Sequence, residues 1–229
     1  MTAGGERAAR SPLEERVHKL RLRIRRACEA AGRNPEEVEL LPVSKRQPLA
    51  LIRAAADLGF ARFGENYVQE GLQKAQEAPG LQFVLIGPLQ RNKARHALTG
   101  FREIMTVDRP ELAERLRRLA AELELVRGIW IQLDLWGEAG KVGGCDESGA
   151  DAVFRALDGD PRLPVQGIMA IPPPEDAQAF RSLAGLRTAW EQRRGQRLRL
   201  SVGMSADLEP AIAAGSDQVR IGTAFFGSR

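Results

Sequence analysis

The apolar positions near the amino terminus recur every three to four residues: Leu13, Val17, Leu20, Ile24 and Cys28. That spacing lays one apolar stripe along a helix. Ser11-Pro12-Leu13-Glu14 stands at its start, supplying an N-cap serine, a proline in the first turn and a capping-box glutamate. The pattern predicts an amphipathic helix from Ser11 to near Gly32. From residue 38 the periodicity changes, and short β-rich runs alternate with helical stretches to the end of the chain. Strands are predicted at about 38–44, 60–63, 82–86, 103–107, 128–135, 165–171, 198–203 and 218–222. Helices are predicted between them at about 48–58, 66–78, 91–99, 109–125, 147–158, 174–193 and 206–214. Such alternation implies parallel strands joined by crossovers, and eight units favour a closed (β/α)8 TIM barrel over an open sheet. No linker, composition shift or repeat marks a second domain. The expected organisation is a disordered tail over 1–10 and one α/β barrel domain over 11–229, with an extra N-terminal helix.

Composition narrows the classes. With 43% hydrophobic and 28% charged residues in 229, the chain can bury a full core. Two cysteines, Cys28 and Cys145, exclude a disulfide framework, and two histidines, His18 and His96, exclude a zinc-type cluster. A reduced, cytoplasmic setting is expected. No apolar run approaches the roughly 18 residues that span a bilayer, so no membrane partner is expected. Glu6, Glu14 and Glu15 interrupt the Arg-rich start, which therefore does not read as a transit peptide. The net charge of +4 comes from 34 basic and 30 acidic residues interspersed along the chain. Mixing of this kind describes a solvated surface, not a polyanion-binding stripe, so no nucleic acid partner is expected. The basic residues are nearly all arginine, and Lys19, Lys45, Lys74, Lys93 and Lys141 are the only lysines. A lysine in an unusual place therefore carries information.

Barrels of this kind keep their chemistry at the C-terminal ends of the strands and often hold phosphate on the loops after strands seven and eight. Ser44-Lys45 follows the first strand, which brings Lys45 to the mouth. There it is either a desolvated nucleophile for an aldehyde or a solvated rim lysine. Asn66, in Phe63-Gly64-Glu65-Asn66-Tyr67, suits either a helix N-cap or a ligand hydrogen bond. Ser201-Val202-Gly203-Met204-Ser205 and Arg220-Ile221-Gly222-Thr223 combine glycine, hydroxyls and a helix expected just after Ser205. Together these are the ingredients of a phosphate cradle. The glycine-rich run from Gly137 to Gly144 fails as a nucleotide P-loop, because Val142 stands where serine or threonine should follow Lys141. It reads as a rim loop. A mouth lysine opposite a phosphate cradle describes a site for a phosphorylated aldehyde, and pyridoxal 5′-phosphate (PLP) fits.

The segments Val43-Ser44-Lys45, Phe63-Gly64-Glu65-Asn66-Tyr67-Val68-Gln69-Glu70, Gly203-Met204-Ser205 and Val219-Arg220-Ile221-Gly222-Thr223-Ala224 closely resemble the pyridoxal phosphate homeostasis proteins. The resemblance covers about residues 12–229. It implies the fold of the alanine racemase N-terminal domain, with Lys45 as the Schiff-base residue and Arg220 facing the pyridine nitrogen. Ser205, Gly222 and Thr223, with Ser201 and Met204, would hold the phosphate, and Asn66 would lie beside the ring. Pro88, Val202 and Val142 depart from the family's usual histidine, methionine and serine at those positions.

An arginine at the pyridine nitrogen disfavours protonation of the ring and makes it a poorer electron sink. The sequence runs only just past the eighth strand, and its sole tyrosine, Tyr67, lies in a helix-opening motif, so no second proton-transfer group is evident. The family resemblance implies a carrier or regulator of PLP. The expectation is a monomer that buffers PLP or passes it to apo PLP-dependent enzymes, without catalysis of its own. The alternative is a PLP-dependent racemase or lyase of low activity.

Overall fold

The computed structural model describes residues 10–137 and 143–228. The tail expected over 1–10, except its last residue, lies outside the described residues, as do Lys141 and Val142. The first helix, α1 (Pro12–Ala30), begins as its sequence dictates. The Ser11 hydroxyl accepts from the Glu14 amide at 3.2 Å, and the Glu14 carboxylate accepts from the Ser11 amide at 2.6 Å. Its stripe of Leu13, Val17, Leu20, Ile24 and Cys28 is buried. No described helix is long and apolar enough to cross a membrane.

Eight strands follow: β1 (Glu39–Pro42), β2 (Arg62–Glu65), β3 (Gln82–Leu85), β4 (Glu103–Val107), β5 (Gly128–Leu133), β6 (Val165–Ala170), β7 (Arg199–Ser201) and β8 (Gln218–Ile221). The connecting helices are α2 (Leu49–Asp57), α3 (Val68–Glu77), α4 (Ala94–Gly100), α5 (Pro110–Glu122), α6 (Glu147–Leu157), α7 (Ala177–Arg194) and α8 (Leu208–Ala213). A short α9 (Thr223–Phe226) follows β8. All eight strands are parallel, in the order β1-β8-β7-β6-β5-β4-β3-β2. This is the expected (β/α)8 barrel, and it is nearly closed.

Its two cores follow from strand alternation. Leu41, Val84, Met105, Trp130 and Met169 form one buried cluster that fills the interior. The opposite strand faces pack against the helices, as with Leu112, Leu116 and Leu119 on α5, each fully buried and contributing about 2 kcal/mol. The alternation that turns Leu41 inward also carries Lys45 to the barrel mouth.

The seam between β1 and β2 is the exception to the ladder. Only a bridge between Val43 and Gly64 joins these strands, with the Ser44 amide donating to the Gly64 carbonyl at 2.8 Å. At the N-terminal end of the barrel, side chains take over. Arg62 pairs with Glu39 and Glu103, both at 2.5 Å, and Arg199 reaches Glu39 at 2.7 Å. The Trp130 indole donates to Glu103 at 2.9 Å.

Several boundaries differ from the sequence reading, each for a physical reason. β2 runs to Glu65 because Gly64 fits beneath Ile86, where a Cβ would lie 3.0 Å from a side-chain methyl. The expected helix over 91–99 opens as a 3-10 turn, Arg91–Lys93, before α4. α7 starts at Ala177, not 174, since Asp176 caps it by accepting from the Gln178 and Ala179 amides. α8 begins at Leu208, later than the expected start after Ser205, because Asp207 captures the Met204 amide and tightens a turn first.

Two outcomes are expected. Ser11→Ala should lower stability by about 1 kcal/mol in denaturant titration. Glu39 titrates low in the folded chain: burial pushes its carboxyl up, but Arg62 and Arg199 outweigh that and hold it below the usual range. A carboxyl held low adds stability that is fully present above its unfolded value near 4.5 and is lost as pH falls through the folded value. Glu39→Gln should therefore cost about 1–2 kcal/mol at pH 7, and thermal melts should show the gap from wild type closing below about pH 4.

Candidate cofactor-binding site

Lys45, Gly222 and Thr223 line one cleft of about 340 Å³ at the mouth, together with Val43, Gln47 and Ser228. Lys45 is half-buried and Thr223 exposed. Because β1 pairs with β8 in register from Glu39↔Gln218 to Pro42↔Ile221, the loops that follow the two strands emerge side by side. A larger groove of about 800 Å³ lies between α1 and α8, but none of the expected site residues lines it.

Behind the wall that carries Lys45, a charged cluster is buried between β1, β2 and α3. The Lys74 ammonium donates to the Ser44 carbonyl, to Glu65 and to Glu70, each at 2.7 Å. The Ser44 hydroxyl donates to the same Glu65 oxygen at 2.6 Å. Burial pushes the Glu65 carboxyl up, and the hydrogen bonds from Lys74 and Ser44 oppose this without cancelling it. The Arg46 amide donates to Glu70, and Arg46 holds a left-handed φ of 57°, a conformation that costs a non-glycine residue on the order of 1 kcal/mol. Its guanidinium lies 5.5 Å from the centre of the Tyr67 ring and donates to the Tyr67 hydroxyl at 3.1 Å.

Asn66 follows β2 directly. It does not cap α3, whose N-cap is Tyr67 with no side-chain cap bond, so the capping alternative is set aside. Gly87 packs against its backbone: a Cβ there would lie 2.1 Å from the Asn66 carbonyl oxygen. The Asn66 side-chain oxygen is buried and has no hydrogen-bond partner among the described residues. A buried amide oxygen in that state is available to a ligand donor.

Arg220 points into the barrel from β8. Its guanidinium donates to the Ser201 carbonyl at 2.6 Å, to the Ser201 hydroxyl at 2.8 Å and to the Ala170 carbonyl at 2.9 Å. Burial pulls its pKa down to about 10, with the Asp207 carboxylate pulling the other way, so it stays cationic at neutral pH. The Ser201 hydroxyl itself donates to Gln218 at 2.9 Å, which places Ser201 beside Arg220 and not in the mouth cleft. Gly203 has φ +97°, and a Cβ there would lie 2.6 Å from Ala211, so only glycine fits. Met204 is exposed, and its amide is taken by Asp207. The Ser205 carbonyl accepts from Arg23 of α1 at 2.7 Å.

The structure thus brings Lys45, Gly222 and Thr223 together, groups Ser201 with Arg220, and sets Met204 and Ser205 on the β7 loop. An amine, a glycine-hydroxyl pair, an unpartnered amide oxygen and a buried cation suit a phosphorylated aldehyde, so the residues fit PLP. Lys93 reaches Gln69 at 3.4 Å on the neighbouring loops. The sequence reading missed Glu65, Glu70 and Lys74. The scarcity of lysine, and the i,i+4 spacing of Glu70 and Lys74, were the signals that could have found them.

Residues 16–229 match the family model described as the alanine racemase N-terminal domain. The pyridoxal phosphate homeostasis protein of Pseudomonas aeruginosa is 40% identical over 223 residues, covering 96% of each chain. Its counterpart in Escherichia coli K12 is 41% identical over 225 residues, covering 92% of this chain and 94% of the other. The solved structure of PipY from Synechococcus elongatus with PLP bound superposes with a TM-score of 0.81 at 34% identity, over 94% of this chain and all of that one. Agreement of this extent, along nearly the whole length of each relative, decides the classification: the chain belongs to the pyridoxal phosphate homeostasis proteins, within the alanine racemase N-terminal domain family.

Proposed function

We propose that the chain binds PLP reversibly at the barrel mouth and serves PLP homeostasis, as a store of the cofactor or a donor to apo-enzymes, without catalysing a reaction. The observation that carries this reading is the convergence of Lys45, Gly222 and Thr223 on one cleft from the loops after β1 and β8. Lys45 supplies the amine for the cofactor's aldehyde, and Gly222, Thr223 and Ser205 with Met204 the phosphate side. Arg220 faces the pyridine nitrogen, Ser201 holds Arg220 in place, and Asn66 lies beside the ring. When bound, PLP supplies an electrophilic carbon and an electron sink.

The chain's own residues favour holding over turnover. Arg220 offers only donors and keeps its proton at neutral pH, so it cannot pass one to the ring nitrogen. Tyr67, the sole tyrosine, is exposed on the rim and engaged by Arg46. The reading extends to a cytoplasmic monomer whose partners are PLP and apo PLP-dependent enzymes.

The test is the near-ultraviolet and visible absorbance of the purified chain with PLP, followed by borohydride and peptide mapping. A reduced adduct confined to Lys45 is expected, and Lys45→Ala should abolish it. PLP at a hundredfold excess over its Kd should raise the stability of the wild type by about 2.7 kcal/mol, and the same concentration should do far less for Lys45→Ala. Full absorbance in Lys45→Ala, or steady racemisation or cleavage of an amino acid by the wild type, would overturn the reading.

A further inference from the structure

We infer that Glu70 and Lys74, braced by Glu65, are positioning residues: they clamp the two peptide groups that flank Lys45 and so fix where its side chain starts. The inference rests on the reading of Lys45 as the cofactor lysine. On one side, the carbonyl of Ser44 accepts from the Lys74 ammonium at 2.7 Å. On the other, the amide of Arg46 donates to the Glu70 carboxylate. The two anchors are joined, because Lys74 also donates to Glu70 and Glu65 at 2.7 Å each. All three ammonium donors are thereby used, two of them on groups that set the Lys45 backbone.

Stability alone does not explain this arrangement. A buried ion pair is often no better than an apolar pair of the same volume, so leucines could hold α3 against the sheet equally well. What apolar side chains cannot do is bond to a carbonyl and an amide on either side of one residue. The Arg46 backbone adds a second observation. Its left-handed φ of 57° persists in an arginine only where the surroundings over-determine it, and Glu70 and Tyr67 both grip that residue. Lysine has four flexible side-chain bonds, so fixing its backbone removes the uncertainty that the side chain itself cannot. The β-bridge at Val43, the Ser44 amide bond to Gly64 and the Gln47 amide bond to the Ser44 carbonyl at 3.0 Å fold the backbone into a turn at Lys45 and Arg46, and the clamp pins that turn to α3.

Glu70 is partly exposed, so its replacement leaves the buried core intact. In the unloaded chain, Glu70→Ala should speed hydrogen exchange of the Arg46 amide by about tenfold or more, read by NMR. With PLP added, the same variant should slow borohydride-trapped modification of Lys45 by about tenfold. Glu70→Gln keeps a side-chain carbonyl for the Arg46 amide and should restore both to within about threefold of wild type, a rescue that general destabilisation would not give. Lys74→Met should reproduce the slow trapping if it folds. Unchanged Arg46 exchange in Glu70→Ala would overturn the inference, and so would faster exchange with Lys45 trapped at the wild-type rate. Lys45→Ala run alongside separates the two claims: PLP trapped as fully in that variant removes the cofactor reading, while Arg46 exchange still decides whether the clamp exists.

Discussion

The barrel closes between β1 and β2, the two strands at the ends of the hydrogen-bonded order. β1 and β2 share one bridge in place of a register, and a gap of that kind would leave two strand edges exposed to water. Charged side chains close it at both ends. Below, Arg62 spans from Glu39 to Glu103, while above, Lys74 spans from Ser44 to Glu65. Each cation sits between strands that the backbone leaves nearly unjoined, and each is oriented by several acceptors at once, which gives the pairs a geometric definition that isolated surface pairs lack.

The same seam divides the labour of the fold. At its lower end the network contacts only other structural groups, among them the Trp130 indole that fills the interior. At its upper end it ends on the peptides around Lys45. Stability and site construction are thus drawn from one device used twice. The difference lies in what the last hydrogen bond reaches: a core tryptophan in one case, the backbone on either side of Lys45 in the other.

The architecture was legible because each strand and helix announces its own period. Eight β-rich runs and the helices between them stood out in sequence, and α1 declared its first turn through Ser11, Pro12 and Glu14. Boundaries were less legible where tertiary contacts overrode local signals. Gly64 reads as a break yet lies inside β2, because Ile86 closes over it, and Asp207 delays α8 through a bond to Met204. In the site, Lys45, Gly222 and Thr223 could be placed from barrel geometry alone, since strand ends fix the mouth. Ser201 could not be assigned its setting beside Arg220, because that depends on which way a three-residue strand turns its hydroxyl. The Lys74 cluster escaped for a similar reason: its i,i+4 spacing to Glu70 is visible in the sequence, but that spacing does not say that the lysine will lie buried behind another lysine.

The docking of α1 has a kinetic consequence. Arg16 donates to the carbonyls of Phe225 and Phe226, and the first of these pairs lies 209 residues apart in sequence. Arg23 likewise braces the Ser205 carbonyl on the β7 loop. The cleft is built from the loops after the first and last strands, and the helix that steadies one flank precedes them all. Contacts of such long sequence separation form late, because the entropy of closing the loop must be met before they reward it. A chain still emerging from the ribosome therefore holds β1 and Lys45 for most of its synthesis without a completed cleft. The cleft is complete only when the segments that follow β1 and β8 meet.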